Sequence, residues 1–104
     1  MGQADAHGPY KFKVITSSAA VTTAGVGGYL KAFGLTVTTT AGSAQLMDNA
    51  TGGTAGPELK LDAATAFNSI SSGDIGPVRF NTDIFCNLVG ANAEAWVIYN
   101  EDTT

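Results

Sequence analysis

The sequence predicts an all-β protein: a single-domain antiparallel β-sandwich of jelly-roll-like form, with about seven or eight short strands and at most one short helical turn. Three observations lead there. Apolar and polar residues alternate with period two in one run after another, the mark of half-buried strands. Clusters of Gly, Asn, Asp and Ser interrupt those runs roughly every 8–12 residues, which is sandwich spacing. The chain has 104 residues, enough for one ordinary domain and no second. Charged residues make up 13% of it, about half the usual share, so the composition opposes wholesale disorder.

The elements follow in order. Tyr10-Lys11-Phe12-Lys13-Val14 sets three apolar side chains on one face and two lysines on the other, predicting a strand whose lysine face is solvated. Residues 29–39 read as one long strand bent near Ala32-Phe33. The β-branched run from Thr36 favours a strand there, although Val26, Tyr29, Leu30 and Phe33 also fit helical spacing. Ala44-Gln45-Leu46-Met47-Asp48 is a shorter strand, and Glu58-Leu59-Lys60-Leu61-Asp62 a clear one. Ala63, Ala66, Phe67 and Ile70 recur at helical spacing behind a capping Asp62, so the one helical turn, if present, falls in 62–70. Val78-Arg79-Phe80-Asn81 is a strand that Pro77 places at an edge or at its own start. Ile84, Cys86 and Leu88 share a strand face, and 93–99, apolar on both faces in its second half, suits a central strand. Residues 10–99 form the sandwich, between a flexible N-terminal arm (1–9) and a C-terminal tail (100–104).

Composition and motifs exclude several function classes. Five Lys+Arg against nine Asp+Glu, a net charge of −4, argue against nucleic acid as a partner. No apolar run reaches the roughly 20 residues of a membrane helix. The N-terminus lacks a signal-peptide core, and Ala6 stands where myristoylation prefers Ser or Thr. Asn49-Ala50-Thr51 matches a glycosylation sequon and reads as chance. Cys86 is the one cysteine and His7 the one histidine, so neither a disulfide nor a Cys–His nucleophile is expected, and Cys86 reads as buried packing.

Gly25-Val26-Gly27 begins like a dinucleotide fingerprint, but Leu30 stands where its third glycine belongs. Asp48, Asp62, Asp74 and Asp83 read as turn and capping residues rather than a catalytic carboxylate pair. Asp48-Asn49 lacks the alternating oxygen ligands of a calcium loop. Trp96 and Tyr99 read as core packing, with a sugar-stacking platform as the other reading. The expectation is therefore a non-enzyme with no catalytic residue, cofactor or metal site.

The order of these elements, from Ala19 to Tyr99, resembles a family of small tailed-phage virion proteins, the β-sandwich head-decoration (cement) and appendage domains. The resemblance rests on Tyr29-Leu30-Lys31-Ala32-Phe33-Gly34-Leu35-Thr36-Val37 and on Leu46-Met47-Asp48-Asn49 before a glycine-rich turn. It continues through Gly56-Pro57-Glu58-Leu59, Gly76-Pro77-Val78-Arg79-Phe80 and the closing Trp96-Val97-Ile98-Tyr99. Where a Gly-Leu step would follow the Phe80 strand, this chain has Asp83-Ile84-Phe85. The resemblance implies a capsid decoration protein, made in the host cytoplasm and placed on the virion surface. Its partners would be the major capsid protein and sister copies, as a homotrimer, with contact through the arm and first strand: His7, Tyr10, Lys11 and Lys13. The alternative it leaves is a tail or fibre appendage binding a receptor or glycan.

Overall fold

Nine strands in two antiparallel sheets make up the computed structural model, which describes residues 3–23, 25–48 and 58–102. They are β1 (Lys11–Ile15), β2 (Ala19–Ala20), β3 (Gly28–Val37), β4 (Gly42–Met47), β5 (Glu58–Ala63), β6 (Asn68–Ser71), β7 (Val78–Phe80), β8 (Phe85–Val89) and β9 (Glu94–Tyr99). The larger sheet runs β1-β9-β3-β6, with β7 beside the first part of β3; the smaller runs β2-β8-β4-β5. This is the single-domain β-sandwich that the alternation predicts.

The long strand forms as one piece because its ten residues alternate correctly on both sides of an irregularity. Leu30 faces Tyr99 and Ala32 faces Ile98, so Lys31 is the extra residue of a bulge, one position ahead of the expected bend. Beyond it, Phe33 pairs with Val97 and Leu35 with Ala95, all turned to the core. Gly28 opens the strand for a steric reason: a Cβ there would collide with the Asn100 backbone carbonyl. That close approach lets Asn100 exchange hydrogen bonds with Tyr29, its N–H to the Tyr29 carbonyl and its Oδ1 from the Tyr29 N–H, each 3.0 Å.

Between the sheets lie Val21, Leu30, Leu35, Leu46, Phe80, Ile84 and Val97, none more than 2% exposed. Each large apolar side chain so buried contributes about 1.5–3 kcal/mol. Cys86 is buried among them, as its strand face implies, and Tyr99 joins the same core.

Two local expectations are corrected, and the single helical turn that the sequence allows is not formed. The 62–70 segment contains no helical turn: Asp62 and Ala63 finish β5, and Asn68 starts β6. The turn between them puts Phe67 in the left-handed region (φ 57°) and leaves it 87% exposed, so its helical spacing marks no buried face. Trp96 is not a core residue. It sits on the outer face of the larger sheet, over Gly34, where a Cβ would strike the indole ring. The faces of β1 are also the reverse of those expected. Lys11 and Lys13 lie opposite Tyr99 and Val97, on the core side, while Phe12 and Val14 point outward. The cause is position: β1 is the edge strand, and only its last residue, Ile15, reaches the buried core.

Candidate interaction surface

The outer face of the larger sheet carries an apolar stripe across its edge. Phe12 and Val14 of β1 are 65% and 49% exposed. Register sets them opposite Ile98 and Trp96 of β9, which in turn flank Ala32 and Gly34 of β3. Phe12 stacks against Trp96, with ring centroids 6.4 Å apart and planes 22° apart. The stripe exists because β1 and β9 both place large apolar residues at outward positions while their inward positions hold Lys11, Lys13, Ala95 and Val97. Farther across, the face turns polar: Thr36 and Ser69 share a 3.2 Å hydrogen bond, and Ser71 lies across Gly34 from Trp96. Scattered exposed apolar residues are ordinary on a protein, whereas an adjoining set on one sheet face is a candidate contact surface.

The four residues expected at a partner contact are not brought together on this face. His7 stands free of the sandwich, its side chain 96% exposed and 3.4 Å from Asp5. The hydrogen bond from the His7 amide holds the exposed Asp5 carboxyl below its ordinary range. The Tyr10 hydroxyl donates to the Ala6 carbonyl, and its ring lies 5.7 Å from the Lys31 ammonium. Lys11 reaches Glu101 at 3.9 Å, and Lys13 donates to the Val21 carbonyl at 3.2 Å. Residues 3–8 lie along the C-terminal segment: the Ala4 amide donates to Asp102, and Asn100 donates to the Asp5 carbonyl, both at 2.7 Å. A cleft of about 340 Å³ runs between them, lined by Ala4, Asp5, Pro9, Lys11, Asn100 and Glu101.

Each aspartate weighed as a catalytic candidate has a structural partner. Asp48 accepts hydrogen bonds from three successive backbone amides, Asn81, Thr82 and Asp83, at 2.6–3.0 Å, and so clamps the 81–83 loop. Asp83 is fully buried. Its Oδ2 takes a long 3.4 Å bond from the Gly25 amide and its Oδ1 has no partner, so desolvation, helped by Asp48, pushes its carboxyl above the ordinary range. Asp62 pairs with Lys60 at 3.6 Å and Asp74 with Lys31 at 3.3 Å. At the sheet end, Arg79 grips Asp102 with two hydrogen bonds of 2.8 and 2.7 Å, which raises the guanidinium pKa and lowers that of the carboxyl.

Among the described residues no group of three His, Cys, Asp or Glu side chains is placed to hold a metal ion. The calcium reading of Asp48-Asn49 and the sequon both involve residues outside the described ones, as do the 49–57 pieces of the resemblance. Gly25 and Val26 form a turn (Gly25 φ 80°) that enters β3 rather than a helix. No helix among the described residues is long and apolar enough to cross a membrane.

Sequence reasoning missed the stripe because alternation separates two faces without saying which is inward. The available signal was the pair Lys11 and Lys13 in a strand with a single strongly apolar end, Val14-Ile15, which is how an edge strand reads. Comparison with protein-family models, with curated proteins and with solved structures finds no match to this chain.

Proposed function

We propose that this chain is a structural, non-enzymatic component of a tailed-phage virion that docks on a protein shell through the outer face of its larger sheet. In this reading it is a head-decoration protein that stabilises the capsid, assembling with sister copies as a trimer around a symmetry axis. The observation that carries it is the apolar stripe: Phe12 and Val14 are open to solvent beside Trp96 and Ile98 on one face of the sheet. Aromatic anchors in such a patch supply contact energy at low entropic cost. The resemblance of the strand order to virion sandwiches supplies the kind of shell. A surface low in charge and rich in Thr, Ser and Ala allows close packing of like-charged copies.

Cosedimentation with undecorated phage heads tests the reading. Saturable binding by the wild-type chain, lost in the Phe12→Thr/Val14→Thr variant, is the expected result. Wild-type protein that stays in the supernatant would refute it. One observation favours a second reading, a tail or fibre module binding glycan: the Phe12–Trp96 pair lies beside hydroxyl groups, with Ser71 across Gly34. A glycan array in which binding falls with Trp96→Ala would establish that alternative.

A further inference from the structure

We infer that the free edge of β1 is a strand-accepting site, which takes an extended partner segment alternating apolar and acidic residues. This rests on the docking reading and names how the partner would be held. β1 ends its sheet: its one ladder is to β9, so alternate amides and carbonyls on the far side have no strand partner among the described residues. A five-residue edge with four exposed residues is a template for another chain. The remaining edges differ. β2 has two residues and β7 three, too short to hold a segment, and four-residue β6, the other end of the larger sheet, carries no charged side chain to select a partner. β5 has its Lys60 paired with Asp62, so its outward charges already answer one another.

The side chains of β1 specify the occupant. On the outward face, apolar residues of an added strand would extend the stripe beside Phe12 and Val14. On the inward face, Lys11 and Lys13 project over the open side of the sandwich, and no acidic residue occurs between Asp5 and Asp48. Lys11 has a 3.9 Å partner in Glu101, while Lys13 meets a backbone carbonyl and no carboxylate among the described residues. Two cations on one edge of a chain with net charge −4 are a local inversion of sign, and they select a segment with carboxylates at alternate positions.

The same lysines disfavour a second copy. Inward-pointing charge is a device that keeps edge strands from pairing with themselves. An antiparallel β1 from another molecule, with Phe12 or Lys13 on the two-fold axis, would set lysine against lysine. The edge is therefore closed to its own kind and open to an acidic strand.

The probe is a short capped peptide of alternating glutamate and valine, with alternating lysine and valine as its control. Saturable, salt-sensitive binding of the acidic peptide is expected, with slowed amide hydrogen exchange at residues 11–15. Lys11→Glu/Lys13→Glu should weaken it at least about 10-fold. Lys11→Ala/Lys13→Ala provides a milder variant, and a melting curve establishes that each is folded. The inference fails if the lysine peptide binds equally well, if the acidic peptide binds without slowing exchange in β1, or if it does not bind. Failure together with intact head binding would leave the docking face standing and remove the strand edge alone.

Discussion

The two ends of the larger sheet treat polar and apolar groups in opposite ways. At the β7 end, carboxylates are bound into the fold: Asp48 satisfies three amides and Asp102 grips Arg79, at the cost of Asp83, buried with one oxygen unanswered. At the β1 end, the strand carries no carboxylate, Lys11 and Lys13 face inward, and the large side chains Phe12 and Val14 stay in water. Stability is concentrated in the first region and binding potential in the second. Substitutions in one should therefore move the melting curve, and substitutions in the other should move partner affinity.

The sharpest break is expected at Asp48. Asp48→Ala strands the Asn81, Thr82 and Asp83 amides, and an unpaired buried donor costs about 1–3 kcal/mol. Of the three only the Asp83 amide is fully buried, so urea unfolding should show a loss of about 2–3 kcal/mol, with Asp48→Asn less damaging because one oxygen remains. Next comes Asp102→Asn, which should cost about 1–2 kcal/mol at pH 7, since the Arg79 pair is partly buried and bidentate. The folded Asp102 carboxyl lies below its unfolded value of about 3.8. Its contribution is thus complete above that value and is lost as pH falls through the folded one.

Asp83 carries the opposite sign. Its folded carboxyl lies above the unfolded value, so the folded state holds the proton more tightly and stability falls as pH rises between the two values. Asp83→Asn should stabilise by about 1 kcal/mol at pH 7, because it removes the buried charge, and the gain should vanish in melts below the unfolded value. The smallest stability effect belongs to the open face. Phe12→Thr/Val14→Thr keeps residues suited to a strand and should change unfolding by only about 0.5 kcal/mol, while abolishing cosedimentation with heads. A large loss of stability in that variant would dissolve the contrast.

The sequence carried one of these regions better than the other. Val97, Leu35, Leu46 and Cys86 occupy the buried faces that their alternation implies, and Pro77 does precede a short strand paired on one side only. Those assignments depend on local period alone. Which face of β1 is inward depends on β1 being last in its sheet, a property of pairing across more than 80 residues of chain. The same holds for Trp96, whose place over Gly34 follows from a register that no local pattern encodes. The role of Asp48 was legible as turn chemistry, but the clamp needs residues 33–35 positions apart to meet, and the burial of Asp83 had no local signal. Helical spacing in 62–70 forms no helical turn because Phe67, in a left-handed turn, carries the pattern without burying it.

Cys86 offers the molecule a built-in clock. It is the chain's one cysteine, fully buried between β2 and β4, and burial pushes its thiol up to about 11. No thiol reagent reaches it while the sheets are closed, so every modification event counts an opening of the sandwich. Where reclosing outruns labelling, the labelling rate divided by that of an unprotected thiol gives the open fraction directly. Because Cys86 lies in the core between the two sheets, the ratio reads the parting of the sheets rather than the fraying of an edge.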